Sequence, residues 1–353
     1  MKKIMVVGSS LKDRGGIVTV MDNIMNSSLK EEFKFELVET YITGSKKERA
    51  VMYFKGLRKL LSKLMTDKPD LVHIHMSYKG SFYRKSLILL LVKLFKVPVF
   101  IHVHGSSFKD FYSSLGNLGK KYCHFILNQP ERLIVLSNEW YNFFSQFVNK
   151  NNIETLYNAV PEIDQEFSRN NIEPACLFMG RLGQRKGTYD LLKSIKILKD
   201  KGVKGKFLLA GDGEIEEVKK ELVSLNIEDY VSLLGWINNE EKKELLIQSD
   251  ILVLPSYNEG LPMAILEGMS YGLPIVSTPV GGIPEAVEHG RNGFLVEPGT
   301  VDDLALYLEK LIDDAQLRIT MGKENQNAIR QSFSLNTLMK QLSKAYNQAI
   351  ENK

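Results

Sequence analysis

Two glutamates, Glu259 and Glu267, stand eight residues apart in the stretch NEGLPMAILEG. Pro262 lies between them and suits the first helical turn, where its missing N–H costs nothing. We therefore expect Glu259 in a loop and Glu267 one to two turns into the helix that follows. Because carboxylates accept hydrogen bonds from hydroxyls, this spacing predicts a grip on the hydroxyl groups of two separate sugars.

The start of the same helix is a candidate phosphate site. No preceding turn offers a carbonyl to the backbone amides of Leu261, Met263 and Ala264, which lie beside Gly260. The helix dipole adds a positive potential at this end. One carboxylate would suffice as a helix cap, so the presence of two favours ligand binding.

A second cluster stands in the stretch FMGRLGQRKGTYD. We expect a strand to end at Gly180, after which Arg181 and Lys186 lie in a glycine-punctuated loop that opens a helix. Two cations beside free helix-end amides suit a diphosphate, with arginine as a planar fork and lysine as a point charge. The alternative is a solvated basic loop without a ligand.

Two glycine positions give weaker signals. Gly15 and Gly16 precede an apolar helical pattern after the first strand, where glycines let backbone amides approach a phosphate. The dinucleotide fingerprint GxGxxG is absent, and a tight strand-to-helix turn explains the pair equally well. Gly235 and Trp236 follow a later strand and are expected in the wall of a nucleobase pocket. Trp236 has an alternative place as a core or rim aromatic.

Four histidines lie in two strand-like stretches, LVHIH and FIHVHG. His102 and His104 alternate along one strand, as His73 and His75 do along the other, and we expect each pair to point to opposite faces. This expectation argues against a joint metal site, and no metal site is predicted. His104 is the favoured ligand contact because it ends its strand before Gly105. A buried core histidine is the alternative.

The elements that must position these residues are strands and helices in alternation. Short apolar runs, from KIMVVG near the start to GFLVEPG near the end, are separated by helical patterns. Runs bounded by glycine, proline and helix starts are typical of parallel strands in an α/β protein. About eleven such strands exceed one doubly wound sheet, so two Rossmann-like domains are expected. The polar segment 158–175 marks the break, giving domains over residues 1–165 and 166–334.

The composition is that of a soluble globular protein, with 353 residues of which 25% are charged and 44% hydrophobic. Residues 1–160 hold 24 Lys and Arg against 13 Asp and Glu, a net +11; the rest holds 22 against 29, a net −7. A basic half indicates a surface for nucleic acid, anionic lipid or an anionic acceptor, or else solvated lysines. Two unrelated cysteines and the lack of a signal peptide indicate a cytoplasmic location.

Two segments of the basic half, 46–65 and 82–96, combine apolar and cationic residues. The first segment is expected to place five apolar residues on one helical stripe: Val51, Phe54, Leu57, Leu61 and Leu64. Amphipathic helices that cover a sheet show the same pattern. Because both segments lie in the basic half, a peripheral contact with an anionic membrane surface is the preferred interpretation.

The block EGLPMAILE at 259–267, followed by GLPIVSTPVGGIPE and NGFLVEPG, resembles the retaining glycosyltransferases of family 4. The paired glycines, HVHG, MGRLGQRKG and LLAGDGE precede it in the order typical of that family, so the resemblance covers nearly the whole chain. It implies the α/β GT-B fold, in which an N-terminal acceptor domain and a C-terminal nucleotide-sugar domain face a central cleft. A C-terminal helix at about 335–353 is expected to return to the N-terminal domain.

The resemblance also implies roles for individual residues. Arg181 and Lys186 would bind the donor diphosphate, and Glu259 would contact the hydroxyls of the transferred sugar. Glu267 would hold the ribose, and His104 would touch the donor sugar near the reaction centre. No metal ion or other cofactor is implied. The donor is a nucleotide diphosphate sugar, with a UDP-sugar favoured.

The implied activity is transfer of a hexose or N-acetylhexosamine with retention of configuration, with Gly16 approaching the diphosphate from the N-terminal domain. Within this family, the basic N-terminal domain favours a lipid-linked or saccharide acceptor at a membrane, in cell-surface polysaccharide assembly. No nucleic-acid partner is expected. The alternatives are a soluble small acceptor, as in trehalose- or sucrose-type synthesis, and a sugar-nucleotide 2-epimerase of the same fold. A non-catalytic subunit would be expected to lack Arg181, Lys186 or Glu259, and all three are present.

Overall fold

The computed structural model describes residues 1–13, 15–165, 167 and 171–352. The chain forms two compact units, the first comprising Met1–Asn158 and Leu335–Lys353 and the second comprising Ala159–Ser334. Sequence analysis placed the break within residues 158–175, of which 166 and 168–170 lie outside the described residues.

The first unit is built on a six-stranded parallel sheet. Its strands are β1 (Lys2–Ser9), β2 (Phe33–Tyr41), β3 (Leu71–Met76), β4 (Val99–Val103), β5 (Arg132–Val135) and β6 (Ile153–Thr155). Their order across the sheet is β2-β1-β3-β4-β5-β6. The central strands are buried along their length, as expected for a parallel sheet that is covered on both faces.

Helices cover both faces of this sheet. They are α1 (Gly16–Met25), α2 (Lys46–Thr66), α3 (Gly80–Leu94), α4 (Phe108–Ser113), α5 (Asn117–Leu127), α6 (Asn138–Phe144) and the C-terminal helix α14 (Leu335–Glu351). The ring of Tyr346 in α14 is fully buried, and its centroid lies 5.5 Å from the centroid of the Phe33 ring. Lys2 Nζ donates to Asn347 Oδ1 at 2.7 Å, so the end of the chain packs against its beginning.

The second unit repeats the plan. Its strands are β7 (Ala175–Met179), β8 (Lys206–Ala210), β9 (Val231–Gly235), β10 (Ile251–Leu254), β11 (Ile275–Ser277) and β12 (Gly293–Leu295). Its helices are α7 (Thr188–Asp200), α8 (Ile215–Leu225), α9 (Asn239–Gln248), α10 (Met263–Ser270), α11 (Ile283–Ala286), α12 (Val301–Asp313) and α13 (Ala315–Ala328). The strand order is β12-β11-β10-β7-β8-β9. The predicted pair of parallel-sheet domains is confirmed, with β6 as the strand that sequence analysis missed.

The strand order fixes where a ligand can enter each sheet. In the second sheet the chain proceeds from β7 to β8 and β9 on one side, then returns to place β10 on the other side of β7. The loops that follow β7 and β10 therefore diverge and leave a crevice at the carboxyl ends of these strands. The same reversal occurs between β1 and β3 in the first sheet.

The buried face of helix α2 differs from the predicted apolar stripe. Its start is fixed by a capping box in which the Ser45 hydroxyl accepts from the Glu48 amide and the Glu48 carboxylate accepts from the Ser45 amide. The buried face consists of Gly56, Leu60 and Leu64, whereas Val51 and Phe54 are 59% and 65% exposed. The buried face therefore only partly coincides with the predicted stripe, and it is centred on Gly56, whose missing side chain permits close approach to the backbone of Glu39.

Among the described residues, the helices are all too short or too polar to cross a membrane.

Lys85 in α3 is buried without a carboxylate partner among the described residues. Its ammonium donates to the Thr40 hydroxyl, which in turn donates to the carbonyl of Gly8 at 3.0 Å. Burial, together with the nearby charge of Arg84, lowers the pKa of Lys85 to about 7. A lysine in this position is costly, because its charged form has lost its water without gaining an anion.

We expect K85M to stabilise the first unit by about 1–3 kcal/mol at pH 6, because the substitution removes a buried, unpaired cation. The folded pKa lies below the unfolded one, so the penalty is complete below pH 7 and disappears as pH rises towards the unfolded value of about 10.4. The stability difference between K85M and the parent should therefore shrink from pH 6 to pH 10. Urea unfolding in a W236F background would report it, because Trp140 is then the remaining tryptophan.

The matched control is K121M, since Lys121 is exposed on α5. A stability difference for K85M that stays constant across this pH range would contradict the assignment of a depressed pKa to Lys85.

Candidate functional site

The loop after β7 carries the first predicted cluster. The strand ends at Met179 and Gly180 follows it, and residues Gln184–Lys186 form a short 3-10 turn that closes on Gly187. Gly187 adopts φ 69°, and a Cβ there would lie 1.9 Å from the carbonyl oxygen of Pro255. Only glycine permits this approach, which brings the loop after β7 against the loop after β10 at the crevice between the two strands.

Lys186 and Glu259 meet in this crevice. Lys186 Nζ lies 2.5 Å from Glu259 Oε1, and the two side chains are 12% and 8% exposed. The Ser256 hydroxyl donates to the same oxygen at 2.8 Å, and Arg185 Nη1 lies 3.9 Å from it. Among the described residues, each of these contacts engages Oε1, so Oε2 of Glu259 is left to accept from a ligand.

Gly281 holds the backbone of this carboxylate loop. It adopts φ 61°, and a Cβ at this position would lie 2.2 Å from the Glu259 carbonyl oxygen and 2.6 Å from that of Gly260. The amide of Gly282 donates to the Gly260 carbonyl. The loop after β11 therefore supports the loop that carries Glu259.

The helix α10 places the second glutamate as expected. Pro262 precedes the helix as its N-cap rather than lying in the first turn, and Met263 and Ala264 are the first two helical residues. Their amides have no earlier turn to bond to. Glu267 lies in the following turn, and its Oε1 accepts from Lys242 Nζ of α9 at 2.6 Å. Leu261 is buried between the two glutamates in the sequence.

Arg181, Gly235 and Trp236 are further predicted residues of the second unit. Arg181 is 71% exposed and its Nη1 is 4.0 Å from Asp212 Oδ2, so its guanidinium is available to a ligand in solvent. Gly235 ends β9, an edge strand, and a Cβ there would meet open space. Trp236 follows it and is 46% exposed, which excludes a core position for the indole.

In the first unit, the paired glycines lie at the switch between β1 and β3. Gly15 is the N-cap of α1 with φ 120°, and Gly16 is the first residue of the helix. His104 follows β4 and is partly exposed. Its Nε2 lies 2.9 Å from Nδ1 of His75. The predicted position of His104 at a strand end is thus the position that the structure gives it.

The expectation that each histidine pair points to opposite faces was wrong. Residues two apart in a strand share a face, and β3 and β4 are adjacent with His75 opposite His102. The four rings therefore gather in one stack, with centroids 4.4 Å apart for His73 and His75 and 4.1 Å apart for His102 and His104. Burial lowers the pKa of each ring well below 6.5, so all four are neutral at pH 7.

Sequence analysis missed three side chains that contact the two glutamates. Arg185 stands beside Lys186, and its position as a further cation in GQRKG was the available signal. Ser256 follows β10 directly, where a strand-end hydroxyl is a candidate contact. Lys242 is 25 residues from Glu267 in the chain, and nothing in its local sequence marks it.

Two family models match the chain in succession. The model described as Glycosyltransferase Family 4 matches residues 7–162, and the model described as Glycosyl transferases group 1 matches residues 159–328. The N-acetyl-alpha-D-glucosaminyl L-malate synthase of Bacillus anthracis is 27% identical over 78% of this chain and 74% of its own. The UDP-Gal:alpha-D-GlcNAc-diphosphoundecaprenol alpha-1,3-galactosyltransferase of Escherichia coli is 29% identical over 85% and 80%.

Solved structures show the same fold at lower identity. Sucrose-phosphate synthase from Thermosynechococcus elongatus superposes with a TM-score of 0.83 at 15% identity, covering 100% of both chains. Anabaena Alr3699/HepE in complex with UDP-glucose superposes with a TM-score of 0.78 at 18% identity, covering 99% of this chain and 100% of its own. The predicted GT-B fold is confirmed by these likenesses.

We expect G281A to destabilise the second unit more than G290A does. Both glycines have positive φ, at 61° and 84°, but a Cβ at Gly290 meets open space. G290A should therefore cost only the strain of a left-handed alanine, about 1–2 kcal/mol. G281A must also displace the Glu259 loop, which adds about 1–3 kcal/mol. Urea unfolding followed by Trp236 fluorescence in a W140F background measures the difference, and equal costs would show that the loop tolerates the added methyl.

Proposed function

The chain belongs to glycosyltransferase family 4, and from that premise we propose that it is a retaining enzyme using a nucleotide diphosphate sugar. The acceptor is a lipid-linked saccharide of cell-surface polysaccharide assembly. The observation that carries the donor site is the contact between Lys186 and Glu259 at the switch between β7 and β10. At this edge of the sheet, the cation would bind the diphosphate of a nucleotide sugar and the carboxylate would bind its sugar.

Four predicted side chains of the second unit have a place in donor binding. Lys186, Arg181 and the first amides of α10 supply positive charge and N–H donors for the diphosphate. Glu259 accepts from hydroxyls of the transferred sugar through Oε2, since Oε1 is engaged by Lys186 and Ser256. Glu267, oriented by Lys242, accepts from the ribose hydroxyls. A UDP-sugar is the favoured donor, a preference supported by the UDP named in the HepE complexes.

The same charges account for the chemistry. As the bond between the anomeric carbon and the β-phosphate oxygen breaks, negative charge grows on the leaving diphosphate, where Lys186 and Arg181 stabilise it. The acceptor hydroxyl attacks from the face that the diphosphate leaves, and its proton passes to the leaving phosphate oxygen. The products are a glycoside of retained configuration and a nucleoside diphosphate. The ion pair of Glu259 with Lys186 favours a binding role for this carboxylate over a nucleophilic one.

A pair of cations in the first unit favours an anionic acceptor. Arg84 packs over the ring of Tyr41, 5.2 Å from its centroid, and its buried Nε has no hydrogen-bond partner among the described residues. Lys85 reaches the carboxyl ends of β1 and β2 through Thr40. Among the described residues neither cation has a carboxylate partner, so a phosphate-bearing acceptor would supply the missing counter-charge.

An exposed apolar patch on the first unit supports contact with a membrane. It comprises Phe54 of α2, Tyr83 and Leu87 of α3, and Tyr122 and Phe125 of α5, all more than a third exposed. The helices are neighbours, since the Tyr53 hydroxyl donates to the Arg84 carbonyl and the rings of Tyr83 and Tyr122 stack 6.3 Å apart. Apolar side chains amid a basic surface are typical of peripheral binding to anionic lipid.

The function is tested by offering a panel of UDP- and GDP-sugars, first alone and then with polyprenyl-diphosphate saccharides or soluble sugars as acceptors. We expect slow hydrolysis of one donor and faster transfer of its sugar to the lipid-linked acceptor. Transfer to a soluble sugar alone would refute the acceptor proposal. Epimerisation of UDP-N-acetylglucosamine without any acceptor would refute the transferase proposal.

We expect K186A to lower the rate of sugar transfer about 100-fold or more, because one preorganised charge at the leaving group is lost. E259Q should also lose transfer, because an amide cannot hold Lys186 or accept from the sugar hydroxyls in the same way. K193A is the matched control, since Lys193 is exposed on α7, and it should retain activity. Normal turnover of K186A would exclude its phosphate role, and full transfer by E259Q would exclude the proposed grip on the sugar.

We expect F54S/L87S to float with anionic vesicles less than the parent does at low salt. The double substitution removes two exposed apolar side chains of the patch, so the folded state should be unaffected. V223S/L306S provides a control, because both residues are exposed in the second unit at 65% and 52%. High salt should weaken binding of the parent, and the membrane proposal fails if the parent does not float at low salt.

A further inference from the structure

Four of the six histidines form one cluster in the first unit, and His73, His75 and His102 are buried. In His73, His75 and His102, one ring nitrogen from each lies within 4.8 Å of the others. The Nε2 atoms of these three rings are buried and have no hydrogen-bond partner among the described residues. Buried polar atoms are nearly always paired, so three orphaned nitrogens on neighbouring rings require a partner.

In two of the three rings the other nitrogen has an outer partner, as metal ligands usually do, whereas Nδ1 of His102 is buried and has none among the described residues. His73 Nδ1 lies 2.6 Å from the Tyr346 hydroxyl, and His75 Nδ1 lies 2.9 Å from His104 Nε2. A metal-bound imidazole typically holds its second N–H on such an outer partner, which fixes the tautomer and the ring orientation. His73 and His75 can thus both present Nε2 lone pairs while their Nδ1 protons are held elsewhere.

We propose that His73, His75 and His102 bind a divalent transition-metal ion such as Zn²⁺ inside the first unit. Three neutral imidazoles form a ligand set that suits zinc and its neighbours and not magnesium or calcium, which take oxygen ligands. Nitrogens about 2.1 Å from one tetrahedral ion lie about 3.4 Å apart, so uptake of the ion draws the three rings together. A water molecule completes the coordination.

The position of the site gives the ion a structural role. It would join the adjacent strands β3 and β4. It would also fix the ring of His73, which contacts the Tyr346 hydroxyl of α14. The ion would also hold the proton of His75 on Nδ1, which then donates to His104 Nε2. His104 would in consequence carry its own proton on Nδ1, at the exposed end of the strand.

The test uses the full chain without a polyhistidine tag, stripped by a chelator and reconstituted with Zn²⁺ or Co²⁺. We expect one ion per chain after desalting, a rise of several degrees in Tm, and intense visible absorption bands from Co²⁺ in a tetrahedral nitrogen site. X-ray absorption at the zinc edge should show imidazole scattering. These measurements need neither a variant nor an activity assay.

Substitution then locates the site. H102Q should lose the retained ion, whereas H124Q should keep it, because His124 lies outside the cluster beside Tyr112. Circular dichroism establishes that both variants are folded. The proposal is overturned if the parent retains no ion, if the ion has oxygen ligands alone, or if folded H102Q retains as much metal as H124Q. Should H102Q fail to fold, the cobalt and X-ray spectra of the parent decide the matter.

Discussion

The second unit depends on one buried ion pair between Lys186 and Glu259, whose atoms lie 2.5 Å apart. Removing two charges from water costs several kcal/mol for each ion, and the cost is recovered only with good geometry and additional hydrogen bonds. Ser256 supplies such a bond, and Arg185 adds positive charge at a longer distance. The pair also requires the loops after β7 and β10 to come within contact of each other, which Gly187 permits because a side chain there would collide with the Pro255 carbonyl. Gly281 likewise lets the loop after β11 pack against the backbone of Glu259.

Much of this arrangement was predictable because it rests on local patterns. Apolar runs between turn signals predicted the buried strands, and Pro262 predicted the start of α10 within one residue. Residues that follow β7 and β10 were candidates because parallel strands gather their carboxyl ends at one edge. Two features escaped: β6 has only the three residues Ile153–Thr155 and no apolar run, and the contact of Lys242 with Glu267 depends on how α9 and α10 pack.

The histidines show how an incorrect periodicity changes a functional conclusion. Treating residues two apart as opposed in direction separated His73 from His75 and excluded a joint site. With the correct period of two, each strand contributes two rings to one face. Pairing of β3 with β4 then brings the sets together, and this step depends on strand order, which is a tertiary property. The helix α2 makes the same point, since the packing of Gly56 decides which apolar residues face inward.

The two units differ in whether their buried cations have a carboxylate partner, and this difference affects which ligands would suit each unit. Lys186 already has a carboxylate partner, so the proposed donor diphosphate would share this cation with Glu259. Arg84 and Lys85 have no carboxylate among the described residues, and burial lowers the pKa of both. A neutral sugar acceptor would leave these cations uncompensated, whereas a phosphate-bearing acceptor would restore the charge of Lys85 and repay the cost of burying it. The proposed lipid diphosphate acceptor is therefore the one that best matches the electrostatics of the first unit.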